Sequence, residues 1–170
     1  MLEGIKVIQD FLSPNFITAL KRVINSKRNE YKWKTNLGWE QALQKNSAQV
    51  SIFSLNDTAF ESDIIKIYEK YIDIKNCTFG ITYCLWQNGS YIPFHNDPKV
   101  IYGSTIYLND SWDKDFGGLY IYEDKDILRA ICPKYNQCII NNSNIRHGTS
   151  IISNLAPLRE TIQSFIRKKK

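Results

Sequence analysis

Tyr91-Ile92-Pro93-Phe94-His95-Asn96-Asp97, read together with Arg146-His147-Gly148 further along, decides the interpretation of this chain. The 170 residues contain only two histidines, and both fall in these two segments. His147 follows Asp97 by 50 residues, and Arg159 follows His147 by 12. Residues i and i+2 of an extended segment point to one face, so His95 and Asp97 can act together from one strand end. Two imidazoles and one carboxylate on a β scaffold are a donor set suited to non-haem Fe(II), with the opposite coordination positions left open. On this reading His147 comes from a strand on the facing side.

Working outward, the residues from Asn76 onward alternate runs rich in Ile, Tyr, Thr and Phe with Asn, Asp and Gly turns, as short strands do. Strands are expected at about Thr78–Gln87, Tyr91–His95, Val100–Leu108, Leu119–Tyr122, Ile127–Ile131, Gln137–Asn141, Arg146–Ile151 and Leu158–Arg167. This density of strands suits a double-sheet jelly roll. Upstream, Val7, Ile8 and Phe11 read as a short opening strand. Ser13 is a good N-cap and Pro14 a good first helical residue, which predicts a helix from Pro14 to about Lys27. Phe16, Ile17, Leu20, Val23 and Ile24 give that helix an apolar face to lay on a sheet. A second helix is expected from Glu61 to about Ile72, with Ile64, Ile65, Ile67, Tyr68 and Tyr71 as its buried stripe. The segment from Tyr31 to Asp57 carries Trp33 and Trp39 and a short candidate helix over Glu40 to Lys45. It reads equally as a lid or substrate loop and as a surface connection. The expected architecture is therefore α+β: a double-stranded β-helix core over about 76–167, with helices from about 1–75 packed on one of its sheets. The whole is read as one domain spanning 1–170.

The order His95-x-Asp97, His147, Arg159 resembles the 2-oxoglutarate- and Fe(II)-dependent dioxygenases, nearest their prolyl 4-hydroxylase-like branch. Gly103-Ser104-Thr105-Ile106-Tyr107-Leu108-Asn109, then Trp112 and Gly117-Gly118-Leu119, is similar to that branch's strand ending in Tyr-Leu-Asn before a Gly-Gly turn. Phe11-Leu12-Ser13-Pro14 is similar to its usual helix start. Pro133-Lys134-Tyr135-Asn136 is similar to its turn before the second histidine, with Asn136 where the family usually has Gly. Asn also tolerates a left-handed backbone, so that turn is expected to survive.

The resemblance implies that His95, Asp97 and His147 bind Fe(II) and that 2-oxoglutarate and O2 are cosubstrates, with ascorbate a candidate auxiliary. It implies decarboxylation of 2-oxoglutarate to succinate coupled to hydroxylation of a C–H bond. Arg159 is the expected anchor for the far carboxylate, because a guanidinium grips a carboxylate through two parallel hydrogen bonds. Thr161, two residues on, would add its hydroxyl, and Tyr83 is a further candidate contact. Arg129 and Arg146 are less well placed. Trp39, Tyr91 and Trp112 are weaker candidates for touching substrate. Peptidyl proline is the leading substrate. The alternatives are a free amino acid, another small molecule or a nucleobase, and, in a different class, a jelly roll that only binds.

Bulk properties narrow the field. The net charge of +5 lies partly in the Arg167-Lys168-Lys169-Lys170 tail, and no basic stripe with interleaved aromatics marks a nucleic-acid surface. No apolar run approaches 18 residues, and the first residues carry no signal-like apolar core. Cys77, Cys84, Cys132 and Cys138 lack Cys-x-x-Cys spacing and read as reduced, mostly core residues. A cytoplasmic protein is the resulting expectation.

Overall fold

The computed structural model describes residues 4–28, 33–34 and 50–169. Among them, no helix is long and apolar enough to cross a membrane. The elements run β1 (Ile5–Ile8), α1 (Pro14–Ser26), β2 (Trp33–Lys34), β3 (Val50–Ser54), α2 (Ala59–Tyr68), β4 (Cys77–Trp86), β5 (Ile92–His95) and β6 (Tyr102–Tyr107). They continue with β7 (Tyr120–Asp124), β8 (Ile127–Ile131), β9 (Cys138–Asn142), β10 (His147–Thr149) and β11 (Arg159–Lys168). A seven-stranded sheet in the order β1-β9-β6-β11-β4-β3-β2 faces a four-stranded sheet in the order β5-β10-β7-β8. This is the expected jelly roll with helices on one sheet.

The helices form where local chemistry favours them. The Ser13 hydroxyl accepts from the Phe16 N–H at 3.2 Å and Pro14 opens α1, satisfying a donor that the helix itself cannot. Ile17, Leu20 and Ile24 recur on one face and are buried. α2 starts two residues before the expected position. Glu61, in its first turn, reaches back to accept from the Asp57 N–H at 2.8 Å and the Asn56 amide at 2.6 Å, tying the helix start to the preceding turn where the Thr58 side chain makes no cap. It ends at Tyr68, where the chain turns, with the Tyr71 N–H donating to the Tyr68 carbonyl at 2.9 Å.

β11 is the central plank of the large sheet, paired antiparallel to β4 along its whole length and to β6 over six positions. Alternation divides its side chains. Ile162 and Ile166 join Ile17, Leu20, Ile24 and Ile64 in the core beneath the helices. Arg159, Thr161, Gln163 and Phe165 share the opposite face, towards the small sheet. The tail of the chain therefore carries both the main core and one wall of the interior between sheets.

The segment before α2, expected to be a lid or a surface connection, contributes strands to the large sheet. Val50–Ser54 pairs with β4 from Val50↔Trp86 to Ser54↔Thr82, and Trp33–Lys34 pairs in turn with it. Val50 and Ile52 pack inward beside Trp86, and Phe53 packs outward under the helices. The helix expected over 40–45 lies outside the described residues, as does Trp39.

Asn136 has φ 55°, the left-handed conformation expected of it. Its side chain explains why Asn suits this turn. The Oδ1 accepts from the Leu12 N–H at 2.9 Å, and the Nδ2 donates to the Leu12 carbonyl at 2.7 Å. A buried residue thus clamps the lead into α1 onto the turn before β9. Asn136→Ala is expected to destabilise the fold by about 2–4 kcal/mol, because it orphans two backbone groups and strains a left-handed position. Urea unfolding with an unchanged slope and a lowered midpoint would register this; a midpoint within error of wild type would mean that the clamp contributes nothing.

Candidate metal centre and oxo-acid pocket

His95 is the last residue of β5, and His147 the first of β10. The two strands are hydrogen-bonded neighbours in the small sheet, with His147 directly opposite His95. His147 therefore comes from the adjacent strand of the same sheet, not from the facing side as the sequence reading had it. Gly148 permits this close approach: a Cβ there would sit 2.8 Å from the Ile92 carbonyl oxygen. Asp97 lies beyond the end of β5 and reaches across to the large sheet, where a Cβ on Gly103 would stand 3.2 Å from its Oδ2.

One ligand atom from each of His95, Asp97 and His147 lies within 4.8 Å of the others. Asp97 offers one oxygen to each imidazole: Oδ1 is 3.6 Å from His95 Nε2, and Oδ2 is 3.5 Å from His147 Nε2. Both rings are oriented the same way from behind. His95 Nδ1 lies 2.7 Å from the Pro93 carbonyl oxygen, and His147 Nδ1 lies 3.0 Å from that of Ile145. A carbonyl can only accept, so Nδ1 carries the proton in each neutral ring and the Nε2 lone pairs converge beside the carboxylate. Such backing of a ligating imidazole is the usual way in which a metal site fixes tautomer and aim.

The electrostatics agree with those ligand forms for His147 and Asp97, whereas at His95 they favour the proton that a bound cation would displace. Burial pushes the pKa of His147 below its usual value, keeping that ring neutral. For His95, burial works against the charged form, yet the Asp97 carboxylate and the Pro93 carbonyl outweigh it and hold its pKa above the ordinary value. Burial would raise the pKa of Asp97, but the two imidazoles and Arg167 prevail and hold it low. Asp97 is thus an anion ready to ligate.

Along the inner face of β11 the interior becomes a polar pocket. Arg159 is only 2 % exposed. Its guanidinium lies 5.1 Å from the centre of the Tyr107 ring, and among the described residues no carboxylate is paired with it. Among the described residues its Nε and the Tyr107 hydroxyl lack hydrogen-bond partners of good geometry, although the two side chains interact; the Tyr120 hydroxyl and the Oε1 atoms of Gln137 and Gln163 lack partners as well. Burial lowers the pKa of Arg159 and raises that of Tyr107. Thr161 is fully buried beside them. Its hydroxyl oxygen accepts from the Trp86 indole N–H at 3.0 Å, and its proton faces the buried Cys84 thiol.

The other candidates differ in where they fall. Tyr83 stands on the opposite face of β4, in the core under the helices with Ile81 and Leu85. The inward positions of that strand are Cys84 and Trp86, and a one-residue difference in a strand changes the face. Tyr83 is therefore separated from Arg159 by the sheet. Trp112 donates to the Gly117 carbonyl at 2.9 Å and meets Phe116 edge-on at 5.6 Å, and its ring borders the pocket, since a Cβ on Gly118 would stand 3.3 Å from Trp112 and 3.4 Å from the Arg159 Cδ. Tyr91 is half-buried just ahead of β5. Arg129 pairs with Asp124 at 2.7 Å, and Arg146 lies 3.6 Å from Glu123. The sequence reading gave no role to Trp86, Tyr107, Tyr120 or Gln163. Parity alone could have found Gln163, which stands at i+4 from Arg159 on the same strand.

In overall shape the chain superposes on a Pseudomonas putida prolyl-4-hydroxylase with a TM-score of 0.74, at 14% identity, over 98% of this chain and 94% of that one. The fold is that of the prolyl 4-hydroxylases. A prolyl hydroxylase from Trichoplax adhaerens, solved in complex with a peptide fragment of hypoxia inducible factor, matches with a TM-score of 0.76 at 15% identity. That match covers 97% of this chain and 84% of the other. HygX from Streptomyces hygroscopicus, solved with nickel and 2-oxoglutarate bound, matches with a TM-score of 0.68 at 8% identity, over 99% and 84% of the two chains. No family model matches the sequence, and no curated protein resembles it closely enough to align. The prolyl 4-hydroxylase fold accounts for the two-sheet core and its outer helices. It leaves the chemistry to be argued from the site.

Proposed function

We propose that this chain is a 2-oxoglutarate- and Fe(II)-dependent dioxygenase that hydroxylates a C–H bond, with peptidyl proline as its leading substrate. The observation that carries this reading is Arg159. A guanidinium sealed in the interior, with no carboxylate partner among the described residues, is costly unless a bound anion completes it, and it stands on the strand that also forms a wall of the metal cleft. His95, Asp97 and His147 fit a divalent ion: two bare Nε2 atoms and one carboxylate converge, leaving one side of the ion for small molecules. Nickel and 2-oxoglutarate in HygX, on the same fold, support the same assignment here. The peptide complex of the Trichoplax enzyme supports a peptide as the second substrate.

Each residue has a defined task. His95, His147 and Asp97 would hold the metal, and the carbonyls of Pro93 and Ile145 keep both rings aimed. Arg159, with the Tyr107 and Thr161 hydroxyls beside it, would take the far carboxylate of 2-oxoglutarate. Trp86 fixes the Thr161 rotamer, and the apolar packing of Val50, Ile92 and Ile152 keeps bulk water from this end. The bound metal and 2-oxoglutarate supply the oxidising chemistry: O2 is consumed, 2-oxoglutarate becomes succinate and CO2, and C–H becomes C–OH. Ascorbate is a candidate auxiliary reductant for keeping iron as Fe(II).

The test is incubation with Fe(II), 2-oxoglutarate and a proline-containing peptide. Expected are succinate and a one-oxygen mass gain on proline, both lost in His95→Ala. Turnover of a free amino acid or nucleobase without peptide oxidation would overturn the peptide assignment while keeping the chemistry. Failure to bind 2-oxoglutarate in the presence of metal would leave only a binding jelly roll.

A further inference from the structure

The inner face of β11 reads, from the metal towards the anchor, Phe165, Gln163, Thr161, Arg159. Phe165 is opposite Gly103, the residue that makes room for Asp97. Thr161 is opposite Tyr107, whose ring meets the Arg159 guanidinium. Gln163 sits between these two levels, opposite Thr105. It lines the cleft that holds His95, Asp97 and His147, and so does Tyr120 from the facing sheet. The Tyr120 ring stacks on His147 with centres 5.4 Å apart and planes 14° from parallel. Gln163 is 6% exposed and Tyr120 is 4% exposed. The Gln163 Oε1 and the Tyr120 hydroxyl are both buried without a hydrogen-bond partner among the described residues.

Buried polar atoms are nearly always paired, so two orphans facing one cleft mark the place of a ligand group. Both residues line the cleft of the metal ligands, which Arg159, Thr161 and Tyr107 do not, although the Tyr120 ring also packs beside Tyr107. The two atoms of a carboxamide are told apart only by their hydrogen bonds, so Gln163 can turn its NH2 into the cleft as readily as its oxygen. A phenol and a carboxamide NH2 together make two neutral donors, a combination suited to a carboxylate oxygen that is also drawn to a cation. We infer that Gln163 and Tyr120 hold the metal-proximal carboxylate of the oxo acid, the opposite end from the one that Arg159 takes. The inference rests on the proposed 2-oxoglutarate chemistry and adds two residues that set how the oxo acid is presented to the metal.

The experiment titrates Mn(II)-loaded protein with 2-oxoglutarate and with 2-oxopentanoate, which keeps the oxo-acid head but lacks the far carboxylate. Gln163→Leu and Tyr120→Phe are each expected to weaken both ligands by about 10- to 100-fold, the range for a hydrogen bond to a charged group. Mn(II) affinity should stay within about threefold of wild type, which also reports an intact fold. Arg159→Met should weaken 2-oxoglutarate and leave 2-oxopentanoate unchanged. Gln163→Glu places a second anion at the head and should weaken both ligands more than Leu does. Wild-type affinity for 2-oxopentanoate in both Gln163→Leu and Tyr120→Phe would overturn this inference alone. Absence of 2-oxoglutarate binding to the wild type would overturn the proposed function with it.

Discussion

His147→Ala is expected to abolish measurable binding of a divalent metal, a loss of more than about 100-fold. Replacing groups that merely orient a ligand already costs about 10- to 100-fold, and this change removes a ligand outright. His147 is the most enclosed member of the set, at 9% exposure, and its Nε2 is one of only two imidazole donors in the chain. The direct reading is the thermal midpoint with and without Mn(II). Metal that binds only the native state raises the midpoint, so wild type should gain stability with added Mn(II) and His147→Ala should gain none. An equal rise in both proteins would mean that the ion binds elsewhere.

Arg159→Met should separate function from stability. Removing a charge-assisted pair in a closed site is expected to cost 2-oxoglutarate binding about 2–5 kcal/mol, with Mn(II) affinity nearly unchanged. In the absence of ligand the same change should leave stability unchanged or raise it by about 1–4 kcal/mol. An apolar side chain of similar length replaces a buried charge for which the described residues supply no carboxylate. Denaturant unfolding of the apo proteins, set beside the 2-oxoglutarate titration, tests both halves. A large drop in apo stability would mean that Arg159 serves the core rather than a ligand.

The two-sheet core was legible because its strands are short, β-branched and punctuated by Asn, Asp and Gly, and because alternation allows no other burial. The metal set was legible for a simpler reason: with two histidines in the chain, the pairing was forced. Chain order carries less about which strands become neighbours. His147 could sit opposite His95 in one sheet or face it from the other, and only the β5–β10 register decides. The Tyr83 assignment failed on parity, since its neighbours Cys84 and Trp86 point inward while Tyr83 points at the helices. β3 was missed because Val50–Ser54 is flanked by polar residues, and its strand character depends on β4 offering an edge. Gln163 and Tyr120 carry no motif; only the closing of the two sheets puts their orphaned polar atoms in one cleft. Asn136 shows the converse case. Its tolerance of a left-handed turn was readable, whereas its clamp on Leu12, 124 residues away, belongs to the folded chain alone.

The most direct test of the central claim is a crystal structure of the protein grown with Mn(II) and 2-oxoglutarate under anaerobic conditions, with the ion located by its anomalous signal. The account predicts one ion bound by the Nε2 atoms of His95 and His147 and by the Asp97 carboxylate, at about 2.0–2.2 Å. It also predicts an oxo acid whose far carboxylate lies on Arg159. An ion on other residues, or an Arg159 guanidinium engaged by the protein's own carboxylate with no oxo acid in the interior, would contradict it.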